Sequence, residues 1–373
     1  RMDAGFDGTM VDFGEIIPDE AVFYDGRTGD EMHNAYALDY TKAYRKLFEK
    51  YKGEDHVLFS RSAAAGVQKY SCQFGGDQLS SFRGLTYAMN GGLTLAASGF
   101  PFWGVDAGGY SGFADEETYL RWTEFAAFSP IMRFHGVTPR EPWAYSRYAV
   151  SVYKFYAWLR ENLLKYSVHT AEEAHKTGIP MMRPLPMVFP EDKEAVYWED
   201  EYFYGSDLLV APVHQEGEKR RIYFPSGSWI NLLDFRKMVG GNRIFQVDVP
   251  IDKIPVYIRE GACILSVMNG ELQLGQSMTY EKKNTVLMSR ALNETSGKRY
   301  ADGKVIEYNI LGKTGEDFFM LRQASETEFI VLLGFDRKPE SLELNGVSLS
   351  ESASLNALNY GSGWYWREDA AVV

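Results

Sequence analysis

The sequence has few cysteines, no excess of positive charge and no long apolar run. Cys72 and Cys263 are the two cysteines among 373 residues. Two cysteines so far apart exclude a disulfide framework, and their separation also matches no metal-binding spacing. The net charge of −12 argues against a nucleic-acid partner, because such binding needs a basic surface. No stretch reaches the roughly 18 apolar residues of a spanning helix, so no membrane partner is predicted.

Several well-known catalytic motifs are also absent. The sequence contains no G-x-S-x-G elbow, no P-loop, no H-E-x-x-H and no complete G-x-G-x-x-G before a helix. Serine hydrolase, nucleotidase and zinc hydrolase chemistry therefore lose their main support. No metal site is predicted.

Aromatic residues, by contrast, are abundant. They make up 15% of the chain, within a hydrophobic content of 45%, and a chain of this length can build two or three cores. Neutral sugars commonly bind against aromatic faces with a few oriented polar groups. Aromatic side chains are also the bulk of any large core, so this feature alone leaves the ligand open.

The first 204 residues alternate short apolar strands with helical patterns. Strands are predicted at 9–11, 57–59, 100–105 and 131–135, and helices at 32–51, 83–98, 116–128 and 147–174. Each strand ends in polar residues, which is typical of parallel β/α units whose active site lies at the carboxyl ends of the strands. Because an eight-stranded barrel needs more strands, we expect the chain to begin inside the barrel.

The remaining sequence has a different pattern, with short alternating runs separated by turn residues. The clearest runs are 207–213, 221–225, 247–249, 255–258, 318–321 and 329–333. They predict antiparallel β-sandwich strands. The predicted fold is therefore α/β, with the C-terminal part of a (β/α)8 TIM-type barrel at 1–204, a proximal β-sandwich domain at 205–270 and a distal one at 271–373.

Asp12 follows the first predicted strand. Side chains alternate along a strand, so Asp12 can face a cavity while Phe13 packs behind it. A simple turn at this Asp-Phe-Gly sequence is the alternative.

Asp77 is the second candidate carboxylate. It follows Gly75 and Gly76 in a loop, where paired glycines allow the backbone to approach a ligand closely, although a turn is again the alternative. If Asp12 and Asp77 lie on adjacent barrel strands, they face one cavity. Two facing carboxylates are the machinery of glycoside hydrolysis.

Other polar strand ends could complete such a site. Arg61 could hold the nucleophilic carboxylate ionised and bind a sugar hydroxyl, and Asp106 and His135 could bind further hydroxyls. Asp106 is also consistent with a turn, and His135 with a core histidine. Trp103 and Tyr110 are interpreted as core or cavity wall.

A family resemblance connects these segments. The chain contains, in order, VDFGEIIPDE (11–20), DGRTGDEMHNAYALDY (25–40), RSAAAGVQKY (61–70), FGGD (74–77), SGFPFWGVDAGGYSG (98–112), RWTEFAAFSPIMRFHG (121–136) and GIPMMRPLPMVFPED (178–192). Together they resemble glycoside hydrolase family 31, the family of retaining α-glucosidases and α-xylosidases. The likeness continues through SDLLVAPV (206–213), PVYIREGA (255–262) and ADGKVIEYNI (301–310).

The resemblance implies a double-displacement mechanism that uses no cofactor. It implies these roles: Asp12 as nucleophile, Asp77 as acid/base, Arg61, Asp106 and His135 as sugar contacts, Trp103 and Tyr110 as pocket wall, and Glu15 as support for the nucleophile's loop. The implied activity is exo-acting hydrolysis of terminal α-linked glucose or xylose from oligosaccharides or glycosides.

Some positions leave the substrate open. Met10 and Gln78 resemble sulfoquinovosidases, whereas 142–145 is closer to α-xylosidases. A noncatalytic carbohydrate-binding relative is the alternative from a different class. We expect activity to need the missing N-terminal part of the enzyme or a companion chain. A homo-oligomer is left open. The chain opens with Arg1 and carries no signal-peptide pattern there, so the compartment is left undetermined, with a cytoplasmic location favoured.

Overall fold

The structure is a computed structural model in which a parallel sheet with helices precedes a series of β-sheets. It describes residues 5–235, 237–313, 316–324, 326–335, 337–367 and 370–373. Within these ranges, none of the helices combines the length and the apolar character that crossing a bilayer requires.

Five parallel strands form the first sheet, in the sequential order β1 to β5. The strands are β1 (Gly8–Val11), β2 (Val57–Ser60), β3 (Cys72–Phe74), β4 (Trp103–Asp106) and β5 (Ile131–Arg133). Their helices are α1 (Gly29–Lys52), α2 (Phe82–Ala97), α3 (Glu116–Ala127), α4 (Arg147–Asn162) and α5 (Leu164–Thr177). Because all five strands run the same way, their carboxyl ends meet at one edge.

Four of the five strands and the first three helices confirm the sequence-based predictions within a few residues. The start of α1 is fixed by a capping box, in which Thr28 and Glu31 satisfy each other's backbone amides. Strand β3 was not predicted, because three residues are too few to show a period. The expectation that Asp12 and Asp77 follow adjacent strands is wrong, since β2 lies between β1 and β3.

The prediction of a single helix at 147–174 is wrong, because this segment forms two helices that are separated by one residue. Leu163 has a φ of −91° and a ψ of 9°, and it separates α4 from α5. The buried side chain of the preceding Asn162 donates to Val267 O at 2.9 Å and accepts from Gly275 N at 2.7 Å. These tertiary bonds anchor the break, which a helical period alone cannot reveal.

A six-stranded sheet and a two-stranded sheet follow the barrel region. Their elements are β6 (Met182–Pro184), α6 (Leu185–Val188), β7 (Tyr202–Tyr204), β8 (Leu208–Val210), β9 (Lys219–Phe224), β10 (Ser228–Asn231), β11 (Lys237–Val239), β12 (Arg243–Asp248) and β13 (Val256–Arg259). The larger sheet has the order β11-β10-β13-β8-β7-β6, and β12 pairs with β9. Phe203, Tyr223 and Trp229 are among the buried residues that pack between them.

The described residues of the last part of the chain form three more sheets. Its elements are β14 (Cys263–Met268), β15 (Lys283–Ser289), β16 (Thr295–Ala301), β17 (Lys304–Lys313), β18 (Glu316–Arg322), β19 (Phe329–Leu333), β20 (Leu342–Leu344), β21 (Val347–Leu349), α7 (Leu355–Leu358), β22 (Tyr365–Arg367) and β23 (Ala370–Val372). The sheet orders are β14-β15-β19-β23-β22, β16-β17-β18 and β20-β21. Pairing is antiparallel except between β15 and β19, which run parallel. The domain bounds at 204/205 and 270/271 remain predictions.

Helix α5 joins the barrel region to the last β-sheets through buried polar groups. The His169 ring accepts from Tyr300 N at 3.1 Å and stacks on the Tyr300 ring at 5.6 Å. Nearby, Arg299 and Asp207 form a buried ion pair at 2.7 Å. Burial, assisted by the positive charge of Arg299, lowers the pKa of His169 to about 3.

This lowered pKa predicts an acid-dependent loss of stability. An unfolded histidine titrates near pH 6.5. Below that pH, the histidine of the unfolded chain is protonated, whereas the folded His169 stays neutral down to about pH 3. The contribution of His169 is complete above about pH 6.5 and declines as the pH falls towards about 3, by up to about 1.4 kcal/mol per pH unit. Replacing His169 with Gln should make this decline shallower in thermal unfolding of the full-length protein.

The matched control is His175→Gln, on the exposed side of the same helix. It should follow the pH dependence of the wild type. If the stability of His169→Gln falls as steeply as that of the wild type between neutral and acidic pH, His169 makes no contribution to this pH dependence.

Candidate active site

Asp12 lies in a tightly turned segment directly after β1. The backbone turns through positive φ at Phe13 (62°) and Gly14 (87°). Phe13 N donates to Asp12 Oδ1 at 2.9 Å, and the Tyr40 hydroxyl donates to the Asp12 carbonyl at 2.9 Å. Gly14 is required here, because a Cβ would lie 2.4 Å from Tyr40 Cδ1. Helix α1, which carries Tyr40, thus fixes the main chain of Asp12.

The expectation that Phe13 packs behind Asp12 is wrong. Its side chain is 66% exposed, and the Arg61 guanidinium lies 4.7 Å above its ring. Strand alternation ends at β1, and the positive φ turns Phe13 outward. A non-glycine residue in this conformation is uncommon and often marks a functional site.

Arg61 lies just beyond β2 and binds two carboxylates. Its Nη1 lies 3.1 Å from Asp12 Oδ1, and its Nη2 and Nε each lie 2.8 Å from Glu15 Oε1. The carboxylates of Asp12 and Glu15 are partly exposed, whereas the Arg61 side chain is only 19% exposed. Charge-assisted bonds of this kind fix direction as well as charge, so Arg61 orients the Asp12 carboxylate.

Asp77 reaches the same guanidinium from the loop after β3. Its Oδ1 lies 4.0 Å from Arg61 Nη1, and its side chain is 53% exposed. Because Asp12 and Asp77 approach the same nitrogen, their Oδ1 atoms are no more than about 7 Å apart. This limit includes the separation of about 5 Å between the carboxyl groups of retaining glycosidases.

Asp106 is the last residue of β4 and is 2% exposed. Its Oδ1 accepts a hydrogen bond from Arg133 Nη2. Burial raises the pKa of the Asp106 carboxyl, and the facing charge of Arg133 offsets this only in part. A buried carboxylate beside the site can orient a sugar hydroxyl with little freedom of its own.

Arg133 is a site residue that sequence reasoning missed. Its guanidinium lies 5.0 Å from the Phe59 ring and 4.9 Å from the Phe74 ring. Its Nη1 donates to Met10 Sδ at 3.2 Å. The available signal is an arginine that ends the otherwise apolar strand β5, which indicates a charged or polar partner at that strand end.

Tyr110 and His135 lie together after β4 and β5, with ring centroids 5.3 Å apart. His135 is exposed and Tyr110 is partly buried. Trp103 does not join this group. It is 1% exposed and packs against α2, where a Cβ on Gly92 would lie 1.8 Å from its Cη2.

The structure therefore brings together Asp12, Glu15, Arg61 and Asp77, and it places the Asp106–Arg133 pair and the Tyr110–His135 pair on neighbouring strand ends. In the described ranges, no group of three or more His, Cys, Asp or Glu side chains is arranged to hold a metal ion. Paired carboxylates with a shared guanidinium suit nucleophilic and acid/base chemistry.

Comparison with known proteins agrees with this geometry. Residues 1–170 match the TIM-barrel domain of glycosyl hydrolases family 31, and residues 178–264 match the family's C-terminal domain. The chain is 32% identical to an isomaltosyltransferase from Sporosarcina globispora, over 97% of this chain and 35% of that protein. It is 34% identical to an α-xylosidase from Emericella nidulans, over 70% of this chain and 35% of that protein.

A solved structure has the same fold over the whole chain. The cycloalternan-forming enzyme from Listeria monocytogenes, in complex with a pentasaccharide substrate, superposes with a TM-score of 0.89 and 27% identity, over 100% of this chain and 38% of that one. The chain thus spans well under half the length of these proteins. The predicted barrel region followed by β domains is confirmed, and the chain belongs to glycoside hydrolase family 31.

Proposed function

We propose that the protein is a retaining, exo-acting α-glycosidase that removes terminal α-linked glucose or xylose from oligosaccharides or glycosides. The observation that carries this proposal is the Arg61 guanidinium, which lies against both the Asp12 and the Asp77 carboxylates. Two carboxylates on either side of an anomeric carbon are what retaining hydrolysis requires.

In the proposed mechanism, Asp12 attacks the anomeric carbon while the bond to the leaving oxygen breaks. Asp77 gives its proton to that oxygen, and the sugar becomes an ester on Asp12. Asp77 then takes a proton from water, whose oxygen attacks the anomeric carbon and releases Asp12. Two inversions at one carbon leave the configuration unchanged.

The neighbouring strand ends would hold the sugar during both steps. The Asp106 carboxylate, backed by Arg133, is suited to accept hydroxyl hydrogen bonds. His135 and Tyr110 offer further polar edges beside it. Glu15 is bound to Arg61, so its role is to support the nucleophile's loop.

We infer that activity requires barrel strands beyond the five in the described sheet, supplied by the rest of the enzyme or by a companion chain. Strand β1 pairs only with β2 within the described residues, and closing a barrel of this type takes eight strands. The assays below therefore use the full-length protein. Full activity of residues 1–373 alone would contradict this inference.

A second candidate function is transfer of the sugar to an acceptor sugar instead of water. The isomaltosyltransferase matches almost the whole of this chain, and transfer uses the same ester on Asp12. Within the hydrolases, Met10 and Gln78 keep a sulfoquinovosidase as an alternative. Met10 contacts Arg133, and the buried Gln78 Oε1 has no hydrogen-bond partner. A noncatalytic relative is disfavoured, because both carboxylates are present and share one guanidinium.

Replacing Asp12 with Asn should remove the nucleophile while keeping the side-chain shape. We expect turnover of an aryl α-glucoside or α-xyloside to fall by at least about 10⁴-fold, as for other covalent nucleophiles. The matched control is Asp7→Asn, which removes an exposed carboxylate paired with Lys52 near the opposite end of β1. The control should keep wild-type activity, and near-normal turnover by Asp12→Asn would refute the assignment.

Substrate and reaction type can be tested in one panel. The wild-type enzyme should hydrolyse aryl α-glucosides or α-xylosides and release the α-anomer first, as followed by proton NMR. Preference for an aryl α-sulfoquinovoside would favour the same-class alternative. New oligosaccharides formed when maltose is added as acceptor would favour transfer, and initial release of the β-anomer would contradict retention.

A further inference from the structure

Arg140 is a buried side chain that the proposed mechanism does not use. It follows β5 by seven residues and is 5% exposed. A buried guanidinium needs partners for its five N–H groups. Arg140 finds them on three separate loops at the carboxyl edge of the parallel sheet.

The contacts of Arg140 join the loops after β3, β4 and β5. Its Nε donates to Gly109 O at 2.8 Å, and its Nη2 donates to Ser80 Oγ at 2.8 Å and to Gly112 O at 3.0 Å. Its Nη1 donates to Thr138 Oγ1 at 2.5 Å. The partners that precede β5 in the chain all belong to loops that carry candidate site residues.

Two glycines next to Arg140 leave room for its side chain. A Cβ on Gly136 would lie 2.9 Å from the Arg140 Nε and Cζ atoms, and one on Gly108 would lie 2.9 Å from its Cδ. Gly108 also has a φ of 88°. The Arg140 side chain therefore packs against backbone positions at which a Cβ would collide with it.

The loop of Asp77 is bound directly to this assembly. Gln78 O accepts from both Tyr110 N and Ser111 N at 2.9 Å, and Ser80 N donates to Ser111 O at 2.9 Å. A Cβ on Gly109 would lie 2.6 Å from Ser80 N, so the two loops touch. Asp77 itself is 53% exposed, and its Oδ1 lies 4.0 Å from Arg61 Nη1, beyond hydrogen-bond distance. Its position therefore depends on its loop.

We propose that Arg140 is a positioning residue for the acid/base Asp77, acting through the hydrogen-bonded loops that it ties together. This inference rests on the proposed function. Arg140 does not contact Asp12, whose segment is fixed by Tyr40 and Arg61. Its effect should therefore fall on protonation of the leaving group and not on nucleophilic attack.

The test compares leaving groups, because a structural defect would not distinguish between them. In the full-length enzyme, Arg140→Lys keeps the charge but loses the planar fork. We expect kcat/KM for a methoxyphenyl α-glycoside, which needs protonation, to fall by about 10- to 100-fold. For the dinitrophenyl α-glycoside, whose leaving group needs little protonation, kcat/KM should stay close to the wild-type value.

Two further variants keep the test decisive. Ser80→Ala removes one of the bonds and should show a smaller loss with the same leaving-group dependence, even if Arg140→Lys fails to fold. Arg160→Lys is the matched control. Arg160 also donates to backbone carbonyls, but these belong to Ala127, Ser129 and Pro130, which lie at the amino-terminal end of β5, away from the site. It should keep both activities.

Equal losses on both substrates in Arg140→Lys and Ser80→Ala, or no loss on either, would overturn the positioning role while leaving the proposed function intact. A wild-type enzyme that cleaves neither α-glycoside would instead contradict the proposed function itself. The two failures are therefore distinguishable.

Discussion

The candidate site depends on one guanidinium shared among carboxylates. Arg61 follows β2 and lies between the Asp12 segment after β1 and the Asp77 loop after β3. Its fork also binds Glu15, so one side chain satisfies acids from two loops. Without this positive charge, three carboxylates in one small region would repel one another. The parallel register makes the arrangement possible, because it places all these strand ends at one edge.

Around this centre, each of the proposed site carboxylates is also held by contacts of its own. Asp12 is held by a turn with positive φ and by the Tyr40 hydroxyl. Asp77 is exposed on a loop that is hydrogen-bonded to the neighbouring loops, and Arg140 joins these loops. Asp106 is buried and backed by Arg133. Each of these three proposed site residues thus has a support of its own, in addition to the Arg61 guanidinium that Asp12 and Asp77 share.

Much of this could be predicted from the sequence, where a local pattern carried the information. The strand ends at Asp12, Arg61 and Asp106 were visible as polar residues after apolar runs. Strand β3 was too short to show a period, and the break at Leu163 depends on distant partners of Asn162. The outward turn of Phe13, the burial of Arg140 and the pairing of Arg133 with Asp106 depend on tertiary contacts, which periodicity does not encode. The family resemblance implies a pocket-wall role for Trp103, whereas its residue type alone leaves core or cavity wall open, and its burial against Gly92 agrees with a core position.

The proposed function requires that Asp12 becomes covalently bonded to the sugar. The most direct test treats the full-length enzyme with a fluorinated α-glycosyl fluoride, which slows release of the ester, and maps the labelled peptide by mass spectrometry. We expect one added sugar per active site, attached to Asp12, with loss of activity that matches the labelling. Turnover of the ordinary glycosyl fluoride with no adduct at Asp12, or an adduct on another carboxylate, would contradict it.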